Sequence, residues 1–533
     1  MANKFKDWHQ RLFSLSLCAS SLIVTGQLYA QISSDIRSFD GRGNNIDQPM
    51  FGSSGVEGSG LPVLNQFEAN YGPRSRNAAN PRAISNAVAR QGSQRHSQHN
   101  LSDLFWLWGQ FLDHDITLIP HGSQKMPIAI PADDDFFNGG IIDFTRSQQQ
   151  TIAGERRPLN TITSFIDASQ VYGSTTAVAT ALRDSYENMY MAESDFEFLP
   201  LLDDVPVDDG STGRRGLFAA GDVRANEHVG LTAIHTIFLR EHNRIIPIIQ
   251  RAEPNLSSDA VYQKARLVLG GIMQKISYDE FLPKLIGRNL PPYFGYDPSI
   301  NPAISNSFAT AAFRFGHSML SSELKILEVD GTLTPISLRD VFFQPQIFID
   351  FGPEAILSGF SQNKAQAIDN QIVDDVRSFL FGPPGSPGSD LAAINVQRGR
   401  DHELPLYNEM RYALGYPRVT KFLKNSATDR SGITTDRRLA ANLASVYGSV
   451  DEVDLWVGGL AEDAMFGSLL GETFTSIITE QFLRLRAGDR FWYENHFPSG
   501  YLRDYINRSS LSAVLRRNGD GSLEIDSSPF EVD

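Results

Sequence analysis

The chain has 533 residues, with 47 Lys and Arg against 62 Asp and Glu and a formal charge of −15. That balance opposes attraction to nucleic acid or anionic lipid and points to small or neutral partners. The single cysteine, Cys18, lies in an N-terminal apolar stretch, so the chain beyond it has no thiol. Disulfides, thiolate ligation of iron and iron–sulfur clusters are excluded there, and a buried metal must rely on histidine and oxygen.

The first residues read "MANKFKDWHQRLFSLSLCASSLIVTGQLYAQ". Lys4, Lys6 and Arg11 precede an apolar run from Leu12 to about Val24, and small Ala30 marks a cleavage point. The pattern predicts a signal peptide over 1–30, a secreted or periplasmic protein, and no stable membrane insertion after cleavage. Leu28 is bulkier than usual three residues before the cleavage point, so an uncleaved anchor stays as the alternative. Residues 31–100 contain the turn-rich stretches "SFDGRGNN" and "FGSSGVEGSG" and are expected to form an irregular arm packed on the domain.

From Ser102 the apolar positions Leu104, Leu107, Trp108, Phe111 and Leu112 follow helical spacing. Similar periodicity predicts helices over Glu227 to Arg251, Ser258 to Ile276, Ile304 to Leu320, Asp369 to Leu380, Ala392 to Gln397, Leu404 to Leu414, Asp436 to Tyr447 and Ser468 to Arg486. Pro and Gly break the pattern at "LPPYFGYDPSINP" and "FGPPGSPGSD". There is no strand–helix alternation and no internal repeat, so 101–510 is expected to be one mainly α domain with little β structure. Residues 511–533, ending in "GDGSLEIDSSPFEVD", read as an acidic tail, either a flexible end or a docking strip.

The stretch "WLWGQFLDHDITL" raises a chemical question. On a helix Gln110, Asp113 and His114 share one face, whereas Asp115 points about 100° away from His114. Polar groups within so bulky an apolar helix need polar partners, because an unsatisfied buried carboxylate or imidazole costs several kcal/mol. Taken alone, the stretch is also compatible with a polar helix edge holding a satisfied histidine.

The rest of the chain favours a reactive site. "GQFLDHD" resembles the distal motif of the animal-type haem peroxidase superfamily, the group of myeloperoxidase and peroxidasin. The likeness continues in order through "TSFIDASQVYGS", "AGDVRANE", "LREHNR", "MQKISYDEFLP", "FRFGHS", "INVQRGRDHELPLYN", "DLWVGGLAED" and "RFWYEN", covering about Phe39 to Asn495. Lack of cysteine suits the superfamily's cysteine-poor microbial branch. The resemblance implies a helical haem-peroxidase domain. In such a domain hydrogen peroxide oxidises ferric haem by two electrons to a ferryl state, and a halide, thiocyanate or small phenol then returns the electrons.

The residue roles follow from the same resemblance. His114 would be the distal acid–base, Arg224 the distal cation, and Gln110 the glutamine that helps hold pocket water and, in several members, a halide. Asp113 and Glu227 match the carboxylates that ester-link a haem b derivative, a bond that would also remove charges penalised by burial. Some members carry a methionine after that glutamate for a sulfonium link. Here His228 stands there, so that bond is expected to be absent, and chloride is the least expected donor. His317 would be the proximal iron ligand, Asn408 in "LPLYNEMR" its orienting partner, and Arg314 is suited by charge to a haem propionate. A calcium ion is expected at Asp115, Thr163, the Phe165 carbonyl, Asp167 and Ser169. Glu403 departs from the glycine usual in "DHGLP", so the loop there is expected to differ.

Two rivals remain at this level. A fatty-acid dioxygenase shares the fold but uses a tyrosyl radical three residues before the proximal histidine, where this chain has Arg314. A noncatalytic haem-domain protein of adhesion or matrix assembly would not need the His114 and Arg224 pair.

Overall fold

The computed structural model describes residues 36–55, 78–152, 155–382, 388–523 and 525–532. The expected signal segment therefore lies outside the described residues. The longer helices are α1 (Asp103–Ile116), α2 (Val229–Ala252), α3 (Ser258–Ile276), α4 (Pro345–Gln362), α5 (Leu391–Asp401), α6 (Arg437–Tyr447) and α7 (Glu472–Ala487). Every sheet among the described residues is two-stranded. The mainly helical fold with little β structure is as expected.

The aromatic stripe of α1 explains its central place. Trp108 and Phe111 pack on Phe238 of α2 with ring centroids 5.7 and 5.0 Å apart. The helix also contacts α4, the short helix Ser169–Tyr172 and the 3-10 segment Ala312–Ser318. It thus touches most of what the site requires.

Several elements differ from the periodicity reading for identifiable reasons. The run expected as one helix over Ile304 to Leu320 breaks at Ala311 (φ −131°, ψ −67°), giving a helix Asn306–Thr310 and then the 3-10 segment. Helix α4 went unrecognised because Gly352 (φ 76°) and Pro353 interrupt it midway. Over 369–380 only Asp374–Arg377 is helical. Glu403 follows the end of α5 with φ 53°, in the left-handed region that favours glycine, so the departure from glycine puts a strained residue in this helix-terminating turn.

Both ends of the described chain belong to the body. Arg37 donates from Nη2 to both oxygens of Asp489 (2.9 and 2.8 Å), and its carbonyl accepts from Arg266 Nη1 at 2.7 Å. In the arm, Pro81–Ile84 is helical and runs into a π-turn at Ser85–Ala89, with Ile84 and Val88 in the core. The stretch read as an acidic tail begins with a helix, Leu511–Asn518. Its Arg517 Nε and Asn518 Nδ2 donate to the buried Glu241 carboxylate of α2 at 2.8 and 2.6 Å. Farther on, the Phe530 carbonyl accepts from the Ser102 amide at the start of α1 (3.0 Å), and Val532 donates to the Asn100 carbonyl (2.7 Å). Buried Leu515, Ile525 and Phe530 supply the apolar reason for docking, which net charge could not reveal.

Candidate functional site

Gln110, Asp113 and His114 occupy adjacent turns of α1. His114 is 3% exposed, its Nδ1 lacks a hydrogen-bond partner, and Asp222 Oδ1 stands 3.6 Å from it. Burial lowers the His114 pKa well below its usual value; Arg224 adds to this and Asp222 opposes it. The ring is therefore neutral at pH 7 and able to take up a proton.

Asp222 was not singled out from sequence, yet it organises this half of the site. Its Oδ1 accepts from Arg224 Nε at 2.8 Å and its Oδ2 from Arg224 Nη2 at 2.8 Å, a planar two-point grip. Arg224 Nη2 also donates to the Thr117 carbonyl at 2.7 Å, and Nη1 lies 3.7 Å from Asp113 Oδ2. Burial alone would raise the Asp222 pKa, but the Arg224 charge and its hydrogen bonds pull the other way and the carboxyl is held at about 2. Gly221 permits the close approach: a Cβ there would stand 2.3 Å from the Gly173 nitrogen and 2.4 Å from the Ser169 oxygen.

Glu227 lies at the start of α2, where the Phe343 amide donates to its carbonyl at 3.2 Å. Burial raises its carboxyl pKa to about 7, with Arg224 pulling the other way. Asp113 is raised as well, again by burial, although Thr117 Oγ1 donates to it at 2.7 Å. Two carboxyls whose charge is penalised by burial fit residues that lose that charge in an ester.

His228 has a definite task. Its Nδ1 accepts the Leu231 amide (3.3 Å) and so caps α2, while burial lowers its pKa to about 3. The proton of the neutral ring must therefore sit on Nε2, which donates to Gln110 Oε1 at 3.0 Å. Gln110 is thus fixed with its amide N–H groups left to donate elsewhere.

On the 3-10 segment, Arg314 and His317 are three residues apart, one turn of such a helix, and lie on the same side. Both reach Asn395 of α5: Nδ2 of Asn395 meets His317 Nδ1 at 2.8 Å, and Arg314 Nη1 donates to Asn395 Oδ1 at 2.8 Å. This corrects the assignment of Asn408. That residue is fully buried elsewhere, with Nδ2 donating to the Val419 carbonyl (2.9 Å) and Asp451 Oδ1 (2.7 Å) and Oδ1 accepting from the Val419 amide (2.9 Å). Its bonding capacity is spent pinning a loop. Arg314, expected at a propionate, uses Nη1 on Asn395 and Nε on the Ala309 carbonyl (3.1 Å), leaving Nη2 for an anion. Burial lowers the His317 pKa to about 3, with Arg314 adding to the effect. With Asn395 Nδ2 donating to Nδ1 the ring proton sits on Nε2, whereas a histidine that ligates iron through Nε2 carries its proton on Nδ1; ligation therefore requires the Asn395 amide to turn and accept that proton through Oδ1.

Asp115 faces the other way, as helix geometry requires. Its oxygens accept from the Ala168 amide (3.1 Å), the Ser169 amide (2.5 Å) and Ser169 Oγ (2.9 Å). Ala168 has φ 64°, which turns these two amides onto the carboxylate. Asp167 lies alongside, with Thr163 Oγ1 donating to its Oδ1 at 3.1 Å and its buried Oδ2 without a hydrogen bond, 3.8 Å from Arg37 Nη1. Burial raises the pKa of both carboxyls, and for Asp115 the Asp167 charge raises it further. Two buried acids beside Thr163, Ser169 and the buried Phe165 suit a hard cation, although no group of three or more His, Cys, Asp or Glu placed to hold a metal occurs among the described residues.

Comparison with known proteins follows this geometry. The sequence pattern of the animal haem peroxidase family matches residues 36–530. Peroxinectin A of Dictyostelium discoideum is 37% identical over 90% of this chain and 93% of its own length. Thyroid peroxidase of Sus scrofa is 35% identical over 78% of this chain; the match spans 51% of that protein, so about half of it has no counterpart here. Among solved structures, peroxidase A from Dictyostelium discoideum matches with a TM-score of 0.85 and 33% identity over 94% of this chain and 100% of that one. The fatty acid alpha-dioxygenase of Oryza sativa shares the fold, with a TM-score of 0.77 at 19% identity over 93% of this chain and 87% of that one.

Proposed function

The chain belongs to the animal haem peroxidase family and is an oxidoreductase acting on peroxide, and on that premise we propose that it is a secreted enzyme that reduces hydrogen peroxide at the expense of bromide, iodide, thiocyanate or a small phenol. The observation that carries this reading is the pairing of two neutral histidines with dedicated partners, the buried His114 beside the Asp222–Arg224 pair and the half-buried His317 against Asn395.

When bound, the haem would supply the iron at which peroxide accepts two electrons. His317 would hold it, with Asn395 orienting the ring, and Asp113 and Glu227 are the carboxyls that would form the ester links. His114 takes a proton from the near peroxide oxygen and delivers it to the far one, which leaves as water. Arg224, held flat by Asp222, offers Nη1 to the negative charge that develops as the O–O bond breaks. Gln110 holds water or a halide beside them. Calcium at Asp115, Thr163, Phe165, Asp167 and Ser169 fixes the opposite face of α1.

The dioxygenase reading needs an oxidisable side chain where Arg314 stands, and this guanidinium is engaged with Asn395. Steady-state oxidation of iodide and of guaiacol by the haem-loaded protein tests the proposal. His114→Ala is expected to lower kcat/KM by about 100-fold or more. Haem binding without turnover in either protein would favour the adhesion role.

A further inference from the structure

Helix α1 opens with a buried acid that the peroxide chemistry above does not use. Asp103, its first residue, is fully buried, and its Oδ1 accepts from the indole Nε1 of Trp106, one turn on, at 2.7 Å. Its Oδ2 accepts from Nδ2 of Asn363, at the end of α4, also at 2.7 Å. Both oxygens accept, as an ionised carboxylate does. Burial raises this carboxyl to about 7, although the two hydrogen bonds and the Lys325 charge pull the other way. The carboxylate is therefore a better proton acceptor than one in water.

The indole stands beside the haem site. Trp106 is 3% exposed, and its ring lies edge-on to that of His228 with centroids 5.4 Å apart. His228 donates from Nε2 to Gln110 Oε1 at 3.0 Å and directly follows Glu227, one of the carboxyls assigned to the ester links. Gln110 itself is four residues beyond Trp106, on the same face of α1. One imidazole thus separates the indole from residues of the pocket.

The other described indoles lack this combination. Trp108 Nε1 has no hydrogen-bond partner among the described residues, and Trp456 Nε1 reaches the Arg314 carbonyl at 3.5 Å. Trp492 Nε1 donates to Glu494, an acid that Arg503 also holds. Tyr172 does meet a base, His242 Nδ1, at 2.7 Å. A proton moved there creates a buried imidazolium, whereas a proton moved from Trp106 to Asp103 removes a buried charge.

We propose that Trp106 is a one-electron redox site of the enzyme, with Asp103 as its proton acceptor. The inference rests on the peroxidase reading. Hydrogen peroxide withdraws two electrons through the cofactor, and when no donor is present the indole of Trp106 replaces one of them. Its Nε1–H bond breaks as the proton crosses to Asp103 Oδ1, which leaves a neutral indolyl radical and a neutral carboxylic acid. A later donor electron, arriving through the haem site, reduces the radical, and the proton returns to Nε1. Trp106 is too buried to meet the donor itself, so it stores an oxidising equivalent beside the pocket.

The test is electron paramagnetic resonance of the haem-loaded protein frozen after mixing with hydrogen peroxide and no donor. Wild type should give an organic radical that narrows with ring-deuterated tryptophan and not with ring-deuterated tyrosine. It should show no large exchangeable N–H coupling in deuterium oxide, as a deprotonated indole requires. Trp106→Phe should abolish the signal and Trp492→Phe should leave it. Asp103→Asn, which keeps an oxygen for the indole and offers no base, should lower the spin yield about ten-fold or more. Retained Soret absorption shows that each variant holds its haem. Should Trp106→Phe lose it, the wild-type labelling and exchange pattern decides, because an oxidised Trp108 or Trp456 would keep the N–H coupling. A tyrosine-derived radical, a signal that survives in Trp106→Phe, or no radical from a wild type whose haem spectrum responds to peroxide would overturn the proposal alone. A wild-type haem spectrum that does not respond to peroxide would remove the peroxidase reading and this site with it.

Discussion

Asn395 and Asn408 occur in one continuous motif, and what separates them is direction. A guanidinium only donates, so Arg314 holds Asn395 Oδ1 and leaves Nδ2 facing the imidazole of His317; with Arg314 drawn to a propionate, the amide can turn so that Oδ1 accepts the Nδ1 proton that an iron-bound ring carries. Removing an orienting partner of a metal ligand typically costs about 10- to 100-fold in metal affinity or activity. Asn395→Ala is therefore expected to release hemin far faster than wild type. Asn408→Ala should keep the haem spectrum and lose about 1–3 kcal/mol of folding stability for its buried bonds. Hemin-transfer rates and denaturant melts check both, and the opposite pattern would restore Asn408 as the partner. Glu227 gives a pH-dependent expectation. Its folded pKa, raised by burial to about 7 from 4.5, makes its contribution fully favourable below pH 4.5 and lost as pH rises towards 7. In haem-free protein this amounts to at most about 1.4 kcal/mol per pH unit, and Glu227→Gln should flatten that slope. Melts at pH 5 and pH 7 that respond identically in both proteins would remove Glu227 as the source. Sequence could nominate His114, Arg224, Gln110, Asp113, Glu227 and His317 because their motifs carry them. It could not nominate Asp222 or His228, whose roles lie in which atoms meet after folding.

Helix α1 works by having two polar faces, with His114 on one and Asp115 on the other, and the loop from Thr163 to Ser169 answers the second. In the absence of an ion, Asp115 and Asp167 oppose one another in a buried setting. Calcium at about 100 times its Kd is expected to add about 2.7 kcal/mol of stability to the chelator-treated protein. Asp167→Asn should abolish that increment. Thermal melts with and without calcium measure it, and an increment that survives in Asp167→Asn would place the ion elsewhere. The helices with uninterrupted apolar stripes were legible almost to the residue: α3 spans the predicted Ser258 to Ile276, and α1 begins one residue after Ser102. Elements whose geometry depends on tertiary contact were not. The 3-10 turn that brings Arg314 and His317 onto one side carries the same apolar residues as an α-helix would.

Across the whole molecule, the two ends of the described residues brace the body that carries the site. Arg37 is fastened to Asp489, and the Leu511–Asn518 helix neutralises the buried Glu241 of α2 while the segment beyond it reaches the start of α1. Composition suggested an acidic tail; the structure shows that its scattered apolar residues decide its place. All of these supports converge on one claim, an iron porphyrin held between His114 and His317. The most direct test is the Soret absorption of protein loaded with hemin and passed through a desalting column, for wild type, His317→Ala and His114→Ala. The account predicts a retained band in wild type, a lost or strongly altered band in His317→Ala, and a retained band that no longer responds to hydrogen peroxide at the wild-type rate in His114→Ala. A wild type that retains no hemin, or a His317→Ala spectrum indistinguishable from wild type, would contradict it.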